Sequence, residues 1–318
     1  QLMQVDSELY EREIFVARKE ELDKGMDEST KNTIKSIVSQ KEFPVFQTIE
    51  IETINRCNGT CKFCPINSAD DTRIYKKMDN QLFEKIIEEL AEINYSGRLN
   101  LFSNNEPLID NRIENFTEYV ATKLPQAKKI LFTNGTLLNM ERFETLLKNL
   151  DLMCIDIYYD NDVLAELNKD LIGILKKGLA NSDIQNKVMV QFICRSAVRN
   201  NRGGQSRNRH ISYFVQAGCL LPYIQMVIRP DGKVSLCCND PLGKNTLGDV
   251  SKNTLMEIWN SFKYNEIRKK IGDTRQKFNF CTKCDNYASL NTQGKNVFSA
   301  KQHMDAWEQV KKYISQGE

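Results

Sequence analysis

Three cysteines in the stretch Cys57-Asn58-Gly59-Thr60-Cys61-Lys62-Phe63-Cys64 stand at Cx3Cx2C spacing. A loop this short crowds three thiolates together, enough to hold three irons of a cubane [4Fe–4S] cluster. Such clusters normally take four cysteines, and no fourth lies within reach of this loop. One iron is then left open, and an open coordination position marks a catalytic rather than a structural metal site. The plainer readings are a zinc knuckle, a disulfide or chance. Zinc would want a fourth Cys or His close by, and the nearest histidine is His210.

A second constellation, Cys219-x17-Cys237-x43-Cys281-x2-Cys284, supplies four thiolates. That is enough to ligate a cluster completely, although four cysteines also suit zinc. Cys238 doubles the second position, and only Cys154 and Cys194 stand alone among the ten cysteines. Ten cysteines in a chain with no export signal argue for metal binding and against a disulfide scaffold. With two histidines in the chain, a His-based centre has little to draw on.

Composition narrows the class further. Lys+Arg number 44 against 42 Asp+Glu, so bulk charge carries no nucleic-acid footprint. Mean hydropathy is −0.49, and no run approaches the ~18 apolar residues that span a membrane. The opening Gln1-Leu2-Met3-Gln4 shows no signal-peptide apolar run. A soluble, cytoplasmic protein is expected.

The elements that must position these cysteines follow from periodicity. Residues 1–45 read as a charged helical extension: one amphipathic helix through Leu9, Ile14, Phe15, Ala17 and Leu22, a second through Ile34, Ile37 and Val38 with Ser29 or Thr30 as cap. From Phe46 strands and helices alternate. Predicted strands are 48–54, 99–103, 130–133, 152–158 and 188–195, with helices between them and Asp79 capping the first. Strict alternation with short links implies a parallel α/β sheet with right-handed crossovers, either doubly wound or barrel-like. After Arg195 the alternation stops. Arg229-Pro230-Asp231-Gly232 is turn chemistry for a hairpin of 224–228 with 233–236. A helix through Leu255, Ile258, Trp259, Phe262 and Ile267 follows, and a last amphipathic helix carries Met304, Trp307, Val310 and Ile314.

An open iron beside an electron source suits reductive cleavage of a bound sulfonium, and the cysteine loop resembles the radical S-adenosylmethionine (SAM) superfamily. Its Cx3CxφC signature has an aromatic residue before the last cysteine, where Phe63 stands. The resemblance implies a partial (β/α)6 TIM-like barrel over 46–205. Ser103-Asn104-Asn105-Glu106-Pro107 resembles the family's Gly-Gly-Glu-Pro segment, which receives the amino group of SAM; Asn104 and Asn105 replace its glycines. Thr133-Asn134-Gly135 matches a frequent family turn, giving Asn134 a pocket-shaping place; that Glu106 merely caps the following helix is the plainer reading, and a weak one in register with the cysteine loop. The four later cysteines, with Asp231-Gly232-Lys233-Val234-Ser235-Leu236-Cys237-Cys238, look like a SPASM/twitch domain over 206–290 holding one auxiliary [4Fe–4S] cluster. Family spacing favours Cys237 over Cys238. Residues 291–318 are left as the C-terminal helix.

In parallel α/β folds ligands sit at the C-terminal strand ends, so other side chains there are candidates. Cys154, Asp156 and Tyr158 share one strand face by period-two alternation, as do Gln191, Ile193 and Arg195. Asp156 is a candidate for cofactor or substrate contact. Arg195 could fix an oxyanion or make a structural salt bridge, and Cys154 or Cys238 could return hydrogen. The resemblance implies a 5′-deoxyadenosyl radical that abstracts hydrogen from a sugar, nucleotide sugar or aminocyclitol. Dehydrogenation would use the auxiliary cluster as oxidant; epimerisation would use a thiol donor. Modification of a ribosomally made peptide is the alternative. Arg202, Arg207 and Arg209 could hold an anionic substrate group, and a flavodoxin or ferredoxin is the electron donor implied.

Overall fold

The computed structural model describes residues 28–41, 43–197, 199–206, 215, 217–286 and 298–316. The predicted helix through Leu9–Leu22, and Arg207 and Arg209, lie outside the described residues. The first described element is a helix, α1, over 28–38. It turns Ile34 and Ile37 into the core, while Val38 is 60% exposed. Ser29 and Thr30 lie inside this helix rather than capping it.

Among the described residues eight strands form a single sheet. β1 (Thr48–Ile51), β2 (Arg98–Asn100), β3 (Lys128–Thr133), β4 (Leu152–Tyr159) and β5 (Val188–Cys194) alternate with helices α2 (Asn80–Glu92), α3 (Ile113–Lys123), α4 (Met140–Asn149) and α5 (Lys169–Leu179), with a short α6 (Ser182–Lys187) before β5. β6 (Gln225–Ile228), β7 (Lys233–Ser235) and β8 (Thr246–Asp249) complete it, in the order β5-β4-β3-β2-β1-β6-β7-β8. β1 to β6 are parallel, and β7 and β8 add on antiparallel. β5 and β6 stand at different places in the order and do not pair. The fold is therefore an open α/β sheet of the partial (β/α)6 barrel type.

The local reasons are ordinary ones. α2 buries Phe83, Ile86, Ile87 and Leu90 on one stripe, and Asp79 caps it by accepting from the Gln81 amide at 2.9 Å. On β1, Ile49 and Ile51 enter the main core, whereas Thr48, Glu50 and Glu52 share the opposite, inner face. That face is polar near the cysteine loop: Glu50 accepts a hydrogen bond from Gln225 Nε2 at 2.9 Å. Deeper in the barrel it is apolar, where Ile130, Leu152, Cys154 and Met189 pack with Ala306.

Ala306 comes from α10 (Ala300–Gln316), which lies along β5 and against α5. Its buried stripe is Ala306, Trp307, Val310 and Ile314. Met304, expected on that stripe, is instead 69% exposed, because Ala306 takes the inward position. At the other end, the one-turn helix α7 (Leu221–Ile224) leads into β6, and α8 (Leu255–Trp259) and α9 (Phe262–Ile271) follow β8. Among the described residues no helix is long and apolar enough to cross a membrane.

Candidate active site

The chain leaves β1 and runs directly into the cysteine loop. Cys57, Cys61 and Cys64 line a cavity with Phe63, the Ser103–Glu106 segment, Asn134, Asp156, Tyr158 and Arg202. Gly59 sits inside the loop: its amide donates to Cys57 Sγ at 3.2 Å, and a Cβ there would stand 3.3 Å from that sulfur. Burial, reinforced by the neighbouring thiols, pushes Cys57 up to about 12 and Cys61 up to about 11. Thiols crowded this way ionise together only when a cation compensates them.

The β3 turn braces that loop. Asn134 Nδ2 donates to Asn58 Oδ1 at 2.7 Å, and Asn58 Nδ2 donates to Thr136 Oγ1 at 2.8 Å. Gly135 has φ +74°, and a Cβ there would meet Ile155 at 2.9 Å, so the turn requires glycine. Glu106 ties the turn to the end of β2. Its Oε2 accepts from the Asn134 amide at 2.7 Å, and its Oε1 accepts from Thr133 Oγ1 at 2.7 Å and the Leu108 amide at 3.0 Å. Glu106 therefore caps the following turn and also faces the cavity. Desolvation lifts its carboxyl to about 7.

Asn104 joins the two halves of the site. Its amide donates to Glu52 Oε1 at 2.7 Å, and its Nδ2 donates to the Cys238 carbonyl at 3.0 Å. Arg202 Nη1 approaches the same carbonyl at 3.3 Å and Asn104 Oδ1 at 3.2 Å. Arg202 has φ +50°, an uncommon conformation for a side-chain-bearing residue and one that clusters at functional sites. Asn105 is 5% exposed, and its Nδ2 has no hydrogen-bond partner.

Asp156 and Tyr158 form another wall. Asp156 accepts from Gln191 Nε2 at 3.1 Å and lies 3.4 Å from the Tyr158 hydroxyl. Cys154 and Arg195 are placed elsewhere. Cys154 is fully buried in the apolar floor. Arg195 forks onto Glu166 at 2.7 and 2.9 Å and reaches Asp160 at 3.0 Å, beside a smaller neighbouring cavity.

Cys219, Cys237, Cys281 and Cys284 are all buried, and the thiols of Cys238, Cys219, Cys281 and Cys284 act on Cys237. The leading charges on Cys238 are instead Glu50 and Arg202. Among the described residues no three Cys, His, Asp or Glu side chains converge tightly enough for one metal ion. Ligands of a cubane are spread over four separate irons and do not need to.

Comparison with known proteins agrees with this geometry. A profile of the radical SAM superfamily matches residues 51–175, and one of the SPASM iron–sulfur cluster-binding domain matches 219–285. The chain belongs to the radical SAM superfamily. It is 27% identical over 243 residues to the S-adenosyl-L-methionine-dependent 2-deoxy-scyllo-inosamine dehydrogenase of Niallia circulans, covering 76% of this chain and 94% of that protein. The crystal structure of BtrN with AdoMet and 2-DOIA shares the fold, with a TM-score of 0.65 at 24% identity over 80% of this chain and 98% of that one. An open form of BtrN gives 0.58 at 22% identity, over 81% and 99%.

This radical SAM enzyme uses SAM and [4Fe–4S] clusters, and its residues fit them. Gly59 leaves the three-cysteine loop open where a side chain would fill it. Asn105 keeps a buried donor available beside the loop. A buried cation, Arg275, feels the charge of the four later cysteines. Sequence patterns gave no sign of Arg275, Glu52 or Gln225, which belong to no spacing motif.

Proposed function

We propose that the enzyme oxidises one secondary alcohol of a small polyhydroxylated or aminated ring, of sugar or aminocyclitol type, to a ketone. The observation that carries this reading is the cavity itself. It is bounded on one side by the three-cysteine loop and on the other by Arg202, which is tied to the carbonyl of Cys238. When bound, SAM and its cluster supply a 5′-deoxyadenosyl radical, and the auxiliary cluster supplies a sink for one electron.

The chain's residues then have three tasks. Ser103–Glu106 holds the methionine end of SAM, with Asn105 Nδ2 as the donor kept available for it. Arg202 presents a guanidinium to the substrate oxygen or to an anionic substituent. Asp156 takes the hydroxyl proton, leaving the ring two hydrogens poorer. Cys154 lies below the cavity in the apolar floor, which speaks against hydrogen return from it and so against epimerisation by that thiol. The pocket is lined by side chains of the strand ends and the cysteine loop, a setting that suits a small ring. Electrons enter from a donor protein of the flavodoxin or ferredoxin class.

The test is to incubate the anaerobically reconstituted holoenzyme with SAM, dithionite and a panel of aminocyclitols that includes 2-deoxy-scyllo-inosamine. A product two mass units lighter, formed in step with 5′-deoxyadenosine, is expected. A product of unchanged mass in H2O that gains one mass unit when the reaction is run in D2O would establish epimerisation instead.

A further inference from the structure

Among the described residues Arg275 is a charge buried without a carboxylate as counter-charge. It is 2% exposed. Its Nη1 donates to the Asn286 carbonyl at 2.6 Å and its Nη2 to the Gly218 carbonyl at 3.5 Å, while Nε has no partner at all. A guanidinium held this way costs several kcal/mol unless negative charge faces it. The charges that act on it are those of the thiols of Cys219, Cys284, Cys281 and Cys237, and its Nη2 reaches the backbone next to Cys219.

Its position is fixed by the surrounding backbone. The turn Arg275–Lys277 is capped by Thr274, whose Oγ1 accepts from the Gln276 amide at 3.3 Å. Thr274 bridges to Ala217, and the Cys219 amide donates to the Ile271 carbonyl at 2.8 Å. The two segments approach so closely that a Cβ at Gly218 would lie 2.2 Å from the Gly272 carbonyl. Arg275 and Cys219 are thus held in one tight bracket.

We propose that Arg275 is the charge partner of the auxiliary cluster and raises its reduction potential, making it the better electron acceptor. The inference rests on the four cysteines being that cluster's ligands. Cysteine thiolates around iron and sulfide carry net negative charge, and one-electron reduction adds to it. A cation out of water stabilises the reduced form more than the oxidised form. The Nε–H is also the donor left for the sulfur shell, and hydrogen bonds to sulfur and net charge are established determinants of cluster potential. Arg275 touches no reacting atom; it is a positioning and tuning residue.

The test uses the full chain in a Cys57/Cys61/Cys64→Ala background, where only the auxiliary cluster remains, with Arg275→Met and Arg275→Lys compared. Iron and sulfide counting reports retention, and an EPR-monitored redox titration reports potential. Arg275→Met is expected to keep about four irons and to become at least tenfold harder to reduce, a fall of about 59 mV for one electron. Arg275→Lys should restore most of that shift. If Arg275→Met sheds the cluster while Arg275→Lys keeps it near the parent potential, the charge role also stands. An unchanged potential in both variants would overturn the proposal. So would cluster loss in both, since Arg275 would then serve only to bracket the Asn286 and Gly218 carbonyls. If the background protein itself holds no four-iron cluster, the ligand assignment fails, and the proposal with it, before Arg275 is touched.

Discussion

At Asp156 a carboxyl is held nine-tenths out of water with Gln191 and Tyr158 as hydrogen-bond partners, and desolvation, opposed by the charge of Arg199, lifts it to about 6. A proton acceptor must be ionised, and this one is neutral below that value. Turnover is therefore expected to fall as pH drops through about 6, with Asp156→Asn abolishing that acid limb and lowering kcat by about 10²-fold or more. A pH–rate profile of both proteins checks this, and a limb that survives in the variant would remove Asp156 from the chemistry. Alternation along β4 put Asp156 and Cys154 on the same face, and the structure agrees. It could not give depth: two residues further down, Cys154 is inside an apolar cluster with Ile130, Leu152 and Met189. Arg195 was legible as a strand-end cation, but its partners Asp160 and Glu166 arrive from the loop after β4, which no pattern predicts. Arg275 was invisible because a lone arginine in a polar stretch carries no spacing signal.

Among the elements, α10 has the most to stabilise. β5 is the edge of the sheet, and an uncovered edge strand invites pairing with other chains. α10 covers it: Trp307 Nε1 donates to the Val188 carbonyl at 3.1 Å, and the rings of Phe192 and Tyr313 lie 4.6 Å apart. The indole occupies a slot that exists because residue 178 is glycine, where a Cβ would come within 2.2 Å of it. Trp307→Ala should cost about 3–5 kcal/mol, seen as a lower denaturation midpoint with a rise in aggregation. A midpoint within error of the parent would mean that the edge is protected some other way. The amphipathic stripe of this helix was readable in advance, since helical period is local. Its docking site was not, because that depends on which strand ends the sheet. β8 was missed for a related reason: Thr246–Asp249 is short and contains glycine, and pairing with β7 makes it a strand.

Across the whole molecule, the sequence suggests a break after residue 205, where β-α alternation stops, yet β1 has β2 on one side and β6 on the other. The strand that begins the barrel is completed by one that lies beyond that break. A fragment ending at residue 205 would leave the β1 edge open and the floor without Ala306. It should be recovered insoluble or without cooperative unfolding, whereas a soluble, cooperatively melting fragment would show that β6 is dispensable. The alternation was legible because each βα unit is encoded within its own stretch; the pairing of β1 with β6 joins residues far apart in the chain and leaves no local trace. β1 feeds the three-cysteine loop, and β7, two strands away, ends just before Cys237. Neighbouring strands sit about 4.8 Å apart, so the spacing between the three-cysteine loop and Cys237 is set by a rigid lattice, not by a hinge. Under the proposed function that spacing would act as a fixed calliper on the size of the ring admitted. Broadening the range of rings accepted would therefore call for trimming side chains such as Arg202 and Tyr158, since loosening the join between barrel and hairpin would unmake the sheet that holds both.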